Sequence, residues 1–242
     1  MKAILTWHAI DESRSPISVG AATFADQVAF LASRRVRVIP LADILEAEDN
    51  AVALTFDDAF VSFTEHAWPM LRDAGLPATV FVVADCVGGR NRWSGQAEPG
   101  IPDLPLADWD ALARVAAEGA EIGCHSRRHP RLDAIDDSAL AEETHGACEI
   151  LRERLGAAPT SYCYPYGVAG RRERDAAARQ FRRAVTTEYR LLTQEEDPFL
   201  LPRLDVFYFN RPGALNGFGG SGFKARVMFR AALRQLRRAA TG

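Results

Sequence analysis

The feature that most constrains this chain is a repeated alternation of short β-prone runs with stretches whose apolar residues fall at helical spacing. Strand-like segments read at residues 3–7 (AILTW), 35–40 (RVRVIP), 51–56 (AVALTF), 78–84 (ATVFVVA), 121–125 (EIGCH), 161–165 (SYCYP) and 183–187 (RAVTT). Helix-like stretches lie between them: 23–35, opened by a Thr cap, a short one in ADILEAE, and longer ones at 61–74, 107–118, 137–155 and 171–181. β-Branched and aromatic runs suit a pleated strand, whereas apolar residues recurring every three or four positions suit an amphipathic helix. Strands alternating with helices of this length predict βαβ crossovers, hence an α/β fold on a parallel sheet. About seven such units in 242 residues favour one closed barrel over an open sheet, because α/β barrels of this size fold as single domains.

Composition narrows the class. A hydrophobic share of 48% with 25% charged residues belongs to an ordinary globule rather than a disordered chain. The formal net charge of -3, with no basic stripe interleaved with aromatics before the C-terminus, gives no nucleic-acid partner. The apolar run at the N-terminus breaks at His8 and Asp11, too short for a secretory signal, and nothing approaches a membrane span, so the expected location is cytoplasmic. Cys86, Cys124, Cys148 and Cys163 form no CxxC pair and read as free thiols, Cys124 and Cys163 lying next to the motifs described below.

Two segments break the rhythm. Residues 88–105 form a long Gly/Pro-rich loop of the kind that lines the active face of such barrels. Residues 213–222 (GALNGFGGSG) lead into residues 223–240, which hold six basic residues and no acid, with apolar positions at helical spacing. This division predicts a barrel over 1–212 and a Gly-rich loop with a basic helix packed on it over 213–242. Two readings of the helix stand: a solvated amphipathic helix, or a peripheral contact with an anionic lipid surface or a phosphate-bearing substrate.

In α/β barrels chemistry gathers at the C-terminal ends of the strands. Asp57, Asp58, His125 and the segment Tyr164-Pro165-Tyr166-Gly167 all fall at such ends. Adjacent carboxylates after a strand can cap the following helix, so the Asp57–Asp58 pair alone leaves capping and chemistry open. His125 and His129, four residues apart, can meet one metal ion if they share a helical turn, and imidazole suits zinc. With a carboxylate they make a three-ligand set that leaves room for water, the pattern of a catalytic rather than a structural site.

TFDD (55–58), HSRRHP (125–130) and YPYG (164–167), in this order and at these separations, resemble the polysaccharide deacetylases of carbohydrate esterase family 4, over Ile4 to about Val206. The resemblance implies a distorted (β/α)7 barrel and metal-dependent removal of N-acetyl groups from amino sugars. It places the catalytic base at Asp57, the metal carboxylate at Asp58 and the metal histidines at His125 and His129. It gives Tyr164, Pro165, Tyr166 and Gly167 the shaping of the groove, with the Tyr166 amide as oxyanion donor.

The chain departs from the common family pattern in two places. Cys163 and Tyr164 stand where many members carry an arginine before the PYG segment, and no histidine follows His145 to supply the general acid. LTWHAI (5–10) is similar to the N-terminal His motif of the poly-N-acetylglucosamine deacetylase subgroup, which makes His8 the candidate acid against the plainer reading of a buried strand histidine. LPRLDV (201–206) resembles an ending of the same subgroup, so Arg203 and Asp205 are candidates to orient the site. In the long loop, Asn91 and Trp93 either hold a sugar ring or anchor their own loop. The expected cofactor is a divalent ion, zinc first. The expected partner is an N-acetylated glycan or a lipid- or nucleotide-linked sugar. The rival readings are hydrolysis of a small non-sugar amide, and a carbohydrate-binding protein without catalysis.

Overall fold

The computed structural model describes residues 1–48, 50–93, 95 and 98–241, the last five by their backbone alone. Its strands are β1 (Lys2–Trp7), β2 (Ala9–Ile10), β3 (Ser18–Val19), β4 (Arg37–Val38), β5 (Ala51–Phe56), β6 (Thr79–Val82), β7 (Glu121–Cys124), β8 (Ser161–Cys163), β9 (Arg183–Val185) and β10 (Leu204–Asp205). Its helices are α1 (Ala21–Ala32), α2 (Trp68–Asp73), α3 (Trp109–Ala117), α4 (Asp137–Ala141), α5 (Ala147–Leu155), α6 (Arg171–Ala178) and α7 (Ser221–Thr241).

The large sheet is parallel and runs β10-β1-β5-β6-β7-β8-β9. Its two edges meet where Val185, the last residue of β9, bridges to Leu201, just ahead of β10. Seven strands thus curl into the expected α/β ring, but its membership differs from the sequence reading. The RVRVIP run shrinks to β4, which pairs only with the first residues of β5, outside the ring. The seventh place goes to the segment ending in β10, whose buried arginine disguises it as a loop.

Two apolar layers follow from the strand alternation. Ile4, Ala53, Phe81, Cys163, Val185 and Leu201 fill the ring, with Leu41, Ile44 and Leu192 joining them. Leu5, Trp7, Leu54, Phe56, Val80 and Val82 point outward into the shell of helices. Both faces are therefore apolar, which is why these strands read as unbroken hydrophobic runs. Helices 61–74 and 137–155 each carry a π turn, Phe63–Ala67 and Glu142–Gly146, that the helical periodicity did not reveal. Among the described residues, no helix is long and apolar enough to cross a membrane.

The ring interior is tightest at Gly123 of β7, where a Cβ atom would lie 2.4 Å from the Phe81 ring and 2.8 Å from the Ser161 hydroxyl. Gly123→Ala should therefore destabilise the fold by about 2 kcal/mol, the usual cost of overpacking a filled core. Chemical denaturation of the two proteins measures it, and equal midpoints would contradict this packing.

Candidate active site

The open end of the ring collects the motif residues in one cavity of about 130 Å³, lined among others by His8, Asp57, Asp58, Glu98, His125 and His129. Asp57 and Asp58 leave the end of β5, His125 the end of β7, and His8 follows β1 directly. Each sits where the sequence reading expects chemistry, at a strand's carboxyl end.

Asp58, His125 and His129 bring three ligand atoms within 4.8 Å of one another. The Asp58 Oδ1 lies 3.4 Å from His125 Nε2 and 3.8 Å from His129 Nε2. That oxygen is buried and has no hydrogen-bond partner among the described residues. Burial raises the Asp58 pKa, with Asp57 and Glu98 adding to the shift against the opposing pull of His125 and His8. Burial and the neighbouring His125 hold His129 well below the usual histidine value, so its imidazole is neutral. His125 Nδ1 donates to the Cys163 carbonyl at 2.7 Å, which fixes the ring with Nε2 turned toward the cluster. A buried carboxylate oxygen left without a hydrogen bond among the described residues, beside two imidazole nitrogens, is a donor set that fits a divalent cation.

The two histidines do not share a helical turn, as the spacing had suggested. They stand on an irregular loop in which Ser126 (φ 65°) and His129 (φ 62°) take left-handed backbone conformations. The loop is held from α4–α5, where the buried Glu143 carboxylate accepts the Arg127 and Arg128 amides, both at 2.8 Å. Glu143 carries no signal in its own segment, because its orientation depends on the π turn Glu142–Gly146.

Asp57 is clamped by Arg203. The guanidinium donates from Nη1 to Oδ1 at 2.6 Å and from Nη2 to Oδ2 at 2.7 Å, and both residues are buried. Burial alone would raise the Asp57 pKa, but Arg203 overrides it and holds the carboxyl well below the usual range. Arg203 also donates to the Thr186 carbonyl, to the Thr6 and Thr55 hydroxyls and to the Cys163 sulfur. A guanidinium from the far edge of the ring thus reaches the place beside Cys163 where the PYG segment offers none. His8 Nε2 lies 3.7 Å from Asp57 Oδ2, with its side chain 21% exposed to the cavity. Asp205, whose pKa burial raises against the pull of His8, accepts the Phe207 amide.

The YPYG segment turns sharply, with Tyr166 at φ 58° and Gly167 at φ 67°. A Cβ on Gly167 would fall 2.1 Å from the Thr187 hydroxyl oxygen, so only glycine fits. Tyr164 is buried and spends its hydroxyl on the Phe199 carbonyl, leaving it as cavity wall. The His129 ring is flanked by Trp93 and Tyr166, with centroids 4.6 and 4.7 Å away. Trp93 therefore anchors its loop and lines the cavity at once. Asn91 does not offer its amide to the cavity: it donates to the Pro102 carbonyl and accepts from the Leu104 amide, both within its own loop. Glu98, which sequence reasoning passed over, lines the cavity and accepts a 3.0 Å hydrogen bond from the Tyr166 hydroxyl.

The family model for polysaccharide deacetylase matches residues 45–184, more than half of the chain, and the chain belongs to that family. A chitin deacetylase of Pestalotiopsis sp is 29% identical over 130 residues, covering 53% of this chain and 39% of that protein. A peptidoglycan-N-acetylglucosamine deacetylase of Bacillus cereus is 29% identical over 117 residues, 48% of this chain and 36% of its own length. The chain spans 57%, 39% and 25% of the length of three curated relatives it matches. Among solved structures, the Streptococcus pyogenes deacetylase PplD in complex with acetate superposes with a TM-score of 0.75 at 20% identity, covering 88% of this chain and 96% of that one. IcaB from Ammonifex degensii gives 0.70 at 24% identity, covering 85% and 91%. At these identities the superpositions speak for the fold, and they agree with the ring described above.

Arg203→Met removes the cation that keeps Asp57 ionised. Breaking one partner of a buried pair should cost about 3–5 kcal/mol. Because the folded-state pKa of Asp57 is depressed, the pair's contribution is present at neutral pH and lost as pH falls below the ordinary carboxylate range. The stability gap between parent and variant, followed by denaturation at several pH values, should narrow in acid. A gap that does not vary with pH would show that the pair is not the cause.

Proposed function

We propose that this protein hydrolyses the N-acetyl amide of an amino sugar in a glycan, with a divalent metal ion, zinc first, held by Asp58, His125 and His129. The observation that carries the reading is the buried, unpartnered Asp58 oxygen facing two histidines beside an ionised Asp57. Such an ion, when bound, polarises the amide carbonyl and lowers the pKa of a water.

The chain's own groups supply the rest. Asp57 is the base: Arg203 keeps it ionised across the working pH range, a clamped carboxylate oxygen can still accept a further proton donor, and the residue lines the cavity. The clamp also lowers its basicity, so Asp57 suits a water that is already acidic. His8, across Asp57, is the group we assign to protonate the departing amine. The Tyr166 amide, carried on the left-handed turn, is the assigned donor to the oxyanion. Asp205 acts on the site through its electrostatic tie to His8, and Arg203 through Asp57. Gly167 permits the turn and Pro165 sets its entry, while the Trp93 and Tyr166 rings offer apolar walls to a sugar face.

A glycan suits the surroundings better than a small amide. The cavity shares Trp93, His129 and Tyr166 with an open groove of about 960 Å³ that continues past Arg128, Arg131 and Ile135. That groove has room for sugars on either side of the one being cut. The names of the relatives, chitin deacetylase and peptidoglycan-N-acetylglucosamine deacetylase, point to N-acetylglucosamine as the unit and to surface polysaccharide as its setting. Retention of the base and all three ligand positions argues against a binding protein that has lost catalysis.

Acetate release from N-acetylglucosamine oligomers, measured beside release from simple acetamides, tests the substrate class, with the oligomers expected to be the better substrates. Asp58→Ala should abolish metal binding by direct metal analysis. His8→Ala should lower turnover roughly a hundredfold or more while metal content stays at the parent level. Near-normal turnover of the His8 variant would remove it as the acid.

A further inference from the structure

Helix α7 has two faces of opposite kind, and the structure reverses the arrangement expected of a solvated amphipathic helix. Its inner face holds Phe223, Val227, Arg230 and Arg234. Phe223 and Val227 are buried, and Phe223 stacks on Phe209 with ring centroids 5.2 Å apart. The Arg230 guanidinium lies 4.4 Å from the Tyr208 ring centroid. That of Arg234 lies 5.5 Å from Tyr189 and 5.6 Å from Tyr208. Arg234 also donates to the Tyr208 hydroxyl at 3.1 Å and to the Thr187 carbonyl at 3.3 Å. Arg230 and Arg234 are therefore spent on anchoring the helix, and Arg226, though exposed, also reaches the Ala214 carbonyl at 3.4 Å.

The outer face is apolar. Ala225, Met228, Phe229, Ala232 and Leu236 are all exposed, and their spacing places them on one stripe. Met228 is 61% exposed, and Phe229 and Leu236 are each 68% exposed. Along the helix this stripe extends about 16 Å. Single exposed apolar residues are ordinary, but a continuous row of large ones marks an interaction surface.

We propose that this outer face docks on an anionic lipid surface. Residues 223–240 carry six basic residues and no acid within a chain of net charge -3, so the positive charge is local to this helix. Lys224 and Arg226 remain exposed beside the stripe. A second copy of the helix would set like charges against these with no carboxylate to pair them, whereas anionic headgroups complement them. An apolar stripe edged by cations is the form that lies in a membrane interface, its apolar side in the acyl boundary. The docked helix would hold the catalytic mouth near the lipid. Arg234 is bonded to Thr187, which lines the catalytic cavity and donates its hydroxyl to the Tyr166 carbonyl. The substrate class that follows is an N-acetylated sugar carried on a lipid anchor. That second step rests on the deacetylase reading, whereas the docking itself does not.

The test is flotation of the full chain with vesicles rich in phosphatidylglycerol, and with vesicles of phosphatidylcholine alone, beside the variant Met228→Ser, Phe229→Ser, Leu236→Ser. The parent should float with the anionic vesicles and largely lose this in high salt. The variant should bind at least about tenfold more weakly, the factor that burying one large apolar side chain is worth. Its acetate release from soluble N-acetylglucosamine oligomers should match the parent, which separates failure of docking from failure of the enzyme reading. Absence of parent flotation, or equal flotation of the variant, overturns the proposal. So does sedimentation showing a parent dimer that the variant dissociates, because the face would then join two copies of this chain.

Discussion

The bidentate pair between Asp57 and Arg203 joins segments that lie far apart in chain order. Arg203 enters from the segment that closes the ring, and its donors reach Thr6 at β1, Thr55 at β5, Cys163 at β8 and the Thr186 carbonyl just past β9. One buried cation thus contacts most of the strands that meet at the catalytic end. A guanidinium can serve so many acceptors because its donors lie in a fixed plane, and it stays charged where a lysine would be neutralised by burial. The arrangement also makes ring closure and the ionisation of Asp57 depend on the same contact. Until the last strand docks, Asp57 has no cation and the ring has no plug at this level.

Around that pair the backbone is held in conformations that L-residues avoid. Asp58 (φ 69°), Ala59 (φ 54°), Ser126, His129 and Tyr166 all sit in the left-handed region, and all belong to the motif loops. Each such residue costs on the order of 1–3 kcal/mol and persists only where its surroundings over-determine it. Those surroundings can be named. Glu143 fixes the Arg127 and Arg128 amides, the Ser126 hydroxyl accepts the His129 amide at 2.9 Å, and the Thr187 hydroxyl holds the Tyr166 carbonyl. The strain is what points Asp58, His125 and His129 at a common centre, since regular strand or helix geometry would carry them apart.

Much of this was legible in the sequence, and the reason is chemical. Alternating apolar runs gave the α/β ring because periodicity reports burial directly. Asp57, Asp58, His125 and His129 stood out through the TFDD and HSRRHP motifs taken together, since at strand ends alone the carboxylates could equally have been caps. What stayed hidden depends on contacts that no local spacing encodes. β10 is two residues long and follows an arginine that points into the core. Arg203 therefore read only as a supporting residue, though it is the partner of Asp57. The four-residue spacing of His125 and His129 suggested a helical turn, and only the tertiary hold of Glu143 makes it a left-handed loop. For Asn91 the sequence left sugar contact and loop anchoring open, because nothing in its own segment shows that its amide will bond Pro102 and Leu104 while the residue lines the cavity. On α7 the periodicity was right, but the aromatic rings of Tyr189 and Tyr208 drew the arginines inward and left the apolar stripe outside.

The adjacent carboxylates show how far environment, rather than residue type, assigns a role. Asp57 and Asp58 are neighbours in sequence and both are buried, so desolvation acts on both in the same sense. Asp57 is supplied with a cation by the chain itself, and its pKa falls; Asp58 has no arginine beside it, burial outweighs the pull of His125 and His8, and its pKa rises. A protein that places a carboxylate in a dry cavity without a fixed counter-charge leaves that charge to be met from outside. The left-handed backbone at Asp58 is what separates the two environments, turning successive side chains to different partners. Exchanging the two environments would require moving Arg203 across the cavity, so the arginine distinguishes the two neighbouring carboxylates.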